Sequence, residues 1–290
     1  MKSQLLAYLT LLGLTLCLLQ QQQPEQQWVA ARVLGRRANQ LFILASSYGI
    51  ARARGAKWCI RNLELESLLG KLVVFNATPH ACPHDVHFEQ VSENGRFQHF
   101  LPEMLHTRGN VEVGTYLQSF KYFEGSGVPF RLAQVKWARD WVALRNVQVG
   151  IHVRRGDMLL PGFNDLYNVP SAKYFENAIE RLYLMAKKSD FNFVVCTDDV
   201  AWVLAQPVFA GMTVLEGTSP DEDLSIIAAC RHVIMSVGTF GWWATYMKLE
   251  KDGYSFYYDR PFKTETNSVA AAGYEPADHF PREWIPVSEL

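Results

Sequence analysis

Between Ala172 and Lys188, Tyr174, Phe175, Ala178, Ile179, Leu182 and Met185 fall three or four residues apart, which predicts a helix with one apolar stripe. On either side the period changes. Val147–Arg154 and Phe191–Thr197 are short, continuous apolar runs rich in β-branched residues, the signature of strands buried on both faces. Further on, Val200–Ala205 reads as a short helix, Met212–Glu216 as a strand and His232–Val237 as another. The helix between the last two starts with Ser219 as N-cap, Pro220 in the first turn and Glu222 three residues after the cap, and it runs to about Cys230. Residues 240–249 read as a helix and Tyr254–Tyr258 as a last strand. This β-α-β-α-β order implies a parallel, doubly wound sheet with right-handed crossovers.

The first half alternates less cleanly. A helical pattern begins at Ala38 with Leu41, Leu44, Ala45 and Tyr48 on one side, and Gly55 closes it behind Arg52 and Arg54. Ala56–Ile60 and Lys71–Asn76 read as strands around a short helix near Asn62–Leu69. Residues 79–110 read as mostly irregular and Val111–Leu117 as extended. Phe130–Arg145 reads as a helix with Leu132, Val135, Trp137, Trp141 and Leu144 near one face.

The amino terminus is of another kind. Residues 5–19 carry no charge and follow Lys2; Gln20 to Gln27 is polar and of low complexity, a flexible stem. No small-residue cleavage site follows the apolar run, which favours an uncleaved signal anchor over a cleaved signal peptide. Either places the body in the secretory pathway, with the carboxyl end lumenal. Asn76-Ala77-Thr78 is an N-glycosylation sequon consistent with that. With Cys17 in the anchor, Cys59, Cys82, Cys196 and Cys230 allow three pairings, and Cys196 and Cys230 also suit buried thiols. The expected segments are an anchor at 1–20, a stem at 21–28, an amino-terminal acceptor-side domain at 29–146 and a nucleotide-binding domain at 147–290.

Composition narrows the function. Of 290 residues, 49% are hydrophobic and 20% charged, as in a chain with a well-filled core, and the formal net charge of −1 argues against a nucleic-acid binder. Eight tryptophans and twelve tyrosines suit core packing before sugar platforms. His80, Cys82, His84, Asp85 and His87 make the only metal-like cluster, without the paired spacing that closes a zinc tetrahedron, so no metal is expected.

The candidate chemistry gathers at strand ends. His152, Arg154, Arg155 and Asp157 end the strand at 147–154, a charge density folding does not need, although a structural ion pair with Asp157 would also account for it. Guanidinium groups there suit an anionic, phosphate-bearing ligand. Asp198 and Asp199 end the next strand, where carboxylates hold a base or ribose or cap the following helix. Ser236, Gly238, Thr239 and Phe240 follow a third strand, in a glycine turn that opens backbone amides to an anion. In a parallel sheet all three segments meet at one crevice. With neither a G-x-G-x-x-G nor a G-x-x-x-x-G-K-[ST] motif, nor a clear D-x-D, a nucleotide sugar handled by arginines fits better than a dinucleotide or ATP.

Gly150-Ile-His-Val-Arg-Arg-Gly-Asp157 and the stretch from Glu222 through Gly238-Thr-Phe-Gly-Trp-Trp-Ala-Thr-Tyr246 resemble the α-1,2-fucosyltransferases of animals and bacteria, as does Tyr274-Glu-Pro-Ala…Phe-Pro-Arg-Glu-Trp284. The resemblance implies an α/β fold of two Rossmann-like domains facing across a cleft (GT-B type). It also implies a single-pass type II Golgi membrane protein and metal-independent, inverting transfer of fucose from GDP-fucose to the 2-hydroxyl of a terminal β-galactose. No cofactor beyond the donor substrate is implied. Arg154 with His152 would bind the pyrophosphate, and Asp157 would orient Arg154 or take the acceptor's proton, with Asp165 as a second base candidate. Asn39 and Gln40 sit where that family's donor phosphates meet the first domain. The family's G-R-L-G-N-Q is here Gly35-Arg36-Arg37-Ala38-Asn39-Gln40. Ala38 would hinder a left-handed conformation or close backbone approach, and Arg37 brings charge to an apolar position. A catalytically silent binding homologue, or a fucosyltransferase for another acceptor, is the competing expectation.

Overall fold

The computed structural model describes residues 26–61, 71–92, 94, 98–263 and 274–289. The expected anchor at 1–20, most of the stem, and the expected helix near Asn62–Leu69 lie outside the described residues. No helix among the described residues is long and apolar enough to cross a membrane.

The first unit opens with β1 (Trp28–Ala31), α1 (Arg37–Arg54) and β2 (Lys57–Ile60). β1 begins at the last residue of the expected stem; its four residues are too few to announce a strand. Gly55 ends α1 in the left-handed conformation, as its place after Arg52 and Arg54 predicts. There follow β3 (Val73–Phe75), β4 (His80–Ala81), β5 (Glu89–Val91), β6 (Val111–Val113) and β7 (Phe130–Leu132). β4, β2, β1, β6 and β5 form a parallel five-stranded sheet in that order. β4 and β5 thus fall inside the stretch expected to be irregular. A Cys59–Cys82 disulfide joins the end of β2 to the residue after β4. It selects one of the three possible pairings and oxidises the only thiol of the histidine-rich cluster. Cys196 and Cys230 are buried free thiols.

The expected helix over Phe130–Arg145 is corrected. Phe130–Leu132 is β7, paired antiparallel with β3, and the helix α2 spans Val135–Leu144. Its buried residues are Ala138 and Val142, whereas Trp137 and Leu144 are exposed. The small Ala138 is buried while the bulkier Trp137 and Leu144 face outward, so the large apolar residues misstate the buried face.

The second unit follows the expected alternation through β8 (Val149–Val153), α3 (Ala172–Ala186), β9 (Phe193–Thr197), α4 (Val200–Ala205), β10 (Thr213–Val214), α5 (Pro220–Ala229), β11 (His232–Met235), α6 (Thr239–Tyr246) and β12 (Ser255–Tyr258), and then adds α7 (Pro276–His279) and β13 (Ile285–Val287) beyond the strand expected to be last. Its six strands run parallel in the order β10-β9-β8-β11-β12-β13. β8 sits in the interior of the sheet with all five residues buried, as an unbroken apolar run requires. The stripe of α3 is buried from Tyr174 to Leu182, and Met185 alone lies outside it. α5 carries the complete capping box, with Ser219 and Glu222 each serving the other's backbone.

The two units share a core. Phe42 of α1 lies 4.5 Å from Trp242 and 4.9 Å from Trp243 of α6, ring centre to ring centre, and both tryptophans are fully buried. Phe123 stacks on Trp243 at 5.8 Å. These rings are mortar between the sheets, the role expected of them before any sugar contact.

Candidate functional site

A cavity of about 1360 Å³ lies between the two sheets, at the carboxyl end of β8. From the first unit it is lined by Gly35 to Asn39, Tyr116 and Gln118, and from the second by His152, Arg154, Asp157, Asp198 and the turn at Ser236–Phe240. The three strand-end segments meet at one crevice, because the sheet is parallel and its chain ends share an edge.

Arg154 is the most heavily constrained group. Its backbone N–H donates to Ser236 Oγ at 2.8 Å, which ties the end of β8 to the end of β11. One guanidinium nitrogen donates to Asp157 and the other to Asp198, the latter at 2.5 Å. Asp157 also accepts from Arg36 of the first unit at 2.5 Å. Asp198 accepts further from the backbone N–H groups of Arg155 and Gly156, at 2.8 and 3.2 Å. A side chain at Gly156 would collide with that carboxylate. The loop's own anion nest is therefore filled by Asp198.

His152 is 4% exposed, and burial with the neighbouring Arg154 charge pushes its pKa down to about 3. It is a neutral imidazole, stacked on Phe240 at 5.4 Å with Nδ1 3.5 Å from Ser236 Oγ. Gly241 leaves the ring its space, since a Cβ there would fall inside van der Waals contact with Nδ1. Gly238, at φ 98°, turns the chain into α6.

The remaining expected residues divide. Asn39 reaches across the cleft, accepting from Thr239 Oγ1 at 2.9 Å and from Gln118 Nε2 at 3.2 Å. Gln40 lies behind it, buried, donating to Gly35 O at 2.8 Å, with Oε1 unpartnered among the described residues. Arg155 and Asp199 do not line the cavity. Arg155 lies 3.9 Å over the Trp202 ring and donates to Asp199 at 3.1 Å, while Asp199 caps α4 through the Trp202 N–H. For these two, the structural ion pair and the helix cap are the geometry present. Asp165 lies outside the cavity lining and accepts from Gly162 N–H at 3.0 Å within its own loop.

Ala38 is buried in the first turn of α1, in ordinary helical conformation. The residue that turns there is Gly35, at φ 74°. Arg37 pairs with the carboxylate of Asp221, only 4% exposed, in the first turn of α5. Arg36 and Arg37 fall in the expected amino-terminal motif without their partners being legible, and Asp221 and His279 were not legible as site residues, because each acquires its neighbour only through tertiary packing. His279 lines the cavity, its Nδ1 2.6 Å from Gln118 O. Asn76 is exposed, its N–H donating to Pro129 O just after β3. No group of three or more potential metal-binding side chains occurs among the described residues.

The fold and the cleft define an α/β protein of two parallel sheets, with a guanidinium held by carboxylates where the sheets face. Residues 141–284 match the model of glycosyl transferase family 11. Galactoside alpha-(1,2)-fucosyltransferase 2 of Mus musculus is 34% identical over 145 residues, covering 47% of this chain and 39% of that protein. Galactoside alpha-(1,2)-fucosyltransferase 1 of Rattus norvegicus is 37% identical over 107 residues, 34% of this chain and 27% of its own. The chain thus matches about two fifths or less of the length of these curated relatives. Among solved structures, the fucosyltransferase NodZ from Bradyrhizobium is similar over 77% of this chain and 92% of its own, at 14% identity and a TM-score of 0.48.

Proposed function

We propose that the protein is a galactoside 2-α-L-fucosyltransferase of GT-B type, transferring fucose from GDP-fucose to the 2-hydroxyl of a terminal β-galactose. The observation that carries this reading is Arg154, fixed at the cleft end of β8 by Asp157 and Asp198 within the half of the chain that matches the family. The donor's pyrophosphate takes the guanidinium in exchange for a carboxylate, its planar fork suiting paired phosphate oxygens as it suits Asp157 and Asp198. As the bond from fucose C1 to the β-phosphate oxygen breaks, negative charge grows on that oxygen and Arg154 stabilises it. The galactose O2 attacks C1 from the opposite face, inverting the centre through an oxocarbenium-like state. His152, neutral and immobile, supports the phosphate subsite by shape and hydrogen bonding. Asp157 sits between Arg36 and Arg154, a geometry that favours orienting Arg154 over accepting a proton. Asn39 offers its amide from the opposite wall.

The protein is further read as a single-pass type II Golgi membrane protein with its catalytic part lumenal. The proposed segments are an anchor at 1–20, a stem at 21–28, and domains at 29–146 and 147–290. Support comes from the uncharged apolar stretch at 5–19, the Cys59–Cys82 disulfide and the exposed sequon at Asn76. The test is incubation of the full chain with GDP-fucose and methyl β-galactoside, followed by linkage analysis. Fucose on O2, formed in step with GDP release, is the expected product. Donor binding without transfer to any galactoside would overturn the reading.

A further inference from the structure

Transfer to a hydroxyl leaves a proton to be placed, and the acidic side chains of the cleft are already engaged. Among the described residues, four carboxylates line it. Asp157 and Asp198 hold Arg154, and Asp221 holds Arg37. Asp223 accepts from Thr218 Oγ1 at 2.5 Å on one oxygen and from Cys196 Sγ at 3.6 Å on the other. The other lining groups able to take a proton near neutral pH are the imidazoles of His152 and His279. The charge of Arg154 opposes a proton on His152. No cation opposes one on His279, where burial alone works against the charged form and the bond to Gln118 O favours it.

His279 is the last residue of α7, and tertiary packing fixes its ring. Nδ1 lies 2.6 Å from Gln118 O. A carbonyl only accepts, so Nδ1 carries the proton and Nε2 keeps its lone pair. Nε2 has no hydrogen-bond partner among the described residues and is not one of their sealed, unpartnered polar atoms. It is therefore open, in a residue that lines the cavity. Asp278 anchors α7 to the first unit, accepting from Lys121 Nζ at 2.7 Å and from Phe100 N–H at 2.9 Å. From the second unit, Trp242 Nε1 donates to His279 O at 2.8 Å. The Gln118 amide donates in turn to Asn39, which meets Thr239 across the cleft. His279 thus stands at the seam of the two units, joined through Gln118 to a bond that spans the cleft.

We propose that His279 is the general base of the transfer. Nε2 accepts the proton of the attacking galactose hydroxyl as the bond from O2 to fucose C1 forms and the bond from C1 to the β-phosphate oxygen breaks. The electron pair of the broken bond leaves with GDP, and the imidazolium returns its proton to water as the products depart. The surroundings suit that brief cation. Phe42 stacks on the ring at 6.0 Å and Trp242 lies at 5.8 Å, and the Nδ1–H bond to a carbonyl strengthens with charge. The inference rests on the transferase reading above and adds the proton acceptor which that reading leaves unnamed.

The experiment measures transfer from GDP-fucose to methyl β-galactoside by the full chain and by its H279Q and H279A variants. Glutamine can still donate to Gln118 O and cannot take a proton. In H279Q, kcat should fall at least about 10²-fold, with the Kd for GDP and the KM for the galactoside within about threefold. In H279A, added imidazoles should restore turnover, the rate rising with their basicity. A fall of less than about tenfold in H279Q overturns the inference and leaves the transferase reading intact. Restoration in H279A that is blind to basicity, the mark of a filled hole, overturns it as well. Absence of transfer to any galactoside by the unsubstituted protein sinks the transferase reading and the base together. Where neither variant binds GDP, nitrogen-15 NMR of the unsubstituted protein decides. The Nδ1–H tautomer of His279 supports the base, and the Nε2–H tautomer refutes it.

Discussion

Thr239 Oγ1 and Asn39 Oδ1 meet at 2.9 Å across the cleft, joining residues 200 positions apart. The bond places the first turn of α1 opposite the glycine turn that opens α6. Arg36–Asp157 and Arg37–Asp221 cross the same gap. The width of the cleft is thus held by three polar contacts from Arg36, Arg37 and Asn39, above a core of aromatic rings.

Arg154→Lys keeps the charge and loses the fork, so one of the two carboxylates and the second phosphate contact are forfeited. We expect kcat to fall by about 10²–10³-fold with the melting temperature nearly unchanged. Near-normal turnover would show that Arg154 does not meet the leaving group.

Arg37→Ala strands the Asp221 carboxylate, which is almost fully buried. Because the guanidinium itself is 45% exposed, a loss of roughly 1–2 kcal/mol is expected, below that for a fully buried pair. The double variant R37A/D221N should recover most of it in urea denaturation. No recovery would mean that the pair is not coupled.

Gly241→Ala pushes a methyl group into the His152 ring. Overpacking of this kind costs about 1–3 kcal/mol. Because the imidazole it displaces stands beside Arg154, kcat should drop at least about tenfold even where the protein remains folded. Wild-type kcat in a folded variant would exclude His152 as a support of the phosphate subsite.

Burial pushes His152 down to about 3, and His279 and His232 down to about 4, from an ordinary 6.5. Between pH 6.5 and about 4 the unfolded chain binds protons at these imidazoles and the fold does not. Stability therefore falls as the pH falls through that window, by up to about 1.4 kcal/mol per pH unit for each. Urea midpoints at pH 7, 6 and 5 measure it, and His279→Gln should flatten the slope. A flat profile would contradict the burial.

Sequence legibility followed the range of the interactions. The helix at Pro220–Ala229 could be read because its cap is written within four residues, and β8 because a run buried on both faces is uniformly apolar. The strand ends carrying Arg154, Asp198 and Ser236 followed from parallel topology alone. Phe130–Leu132 misled because three residues of alternating burial also fit a helical stripe. β1 and β13, of four and three residues, gave no periodic signal. The destinations of Arg155 and Asp199 turned on Trp202, a local neighbour whose ring offered Arg155 a better seat than the cleft. The Arg37–Asp221 pair is separated by 184 positions, and no local pattern announces it.

The four charges at the centre of the cleft, Arg36 and Arg154 against Asp157 and Asp198, sum to zero. An entering anion has to displace a carboxylate to gain Arg154, both of whose terminal nitrogens are already taken. Chloride or a single sulfate gains little by that exchange. A ligand carrying two adjoining phosphates, with a base and a sugar to anchor them, can offset the lost pairs at once. The internal neutrality of the cleft thus acts as a filter, discriminating by the valence and reach of the ligand before any hydrogen bond to base or sugar is read.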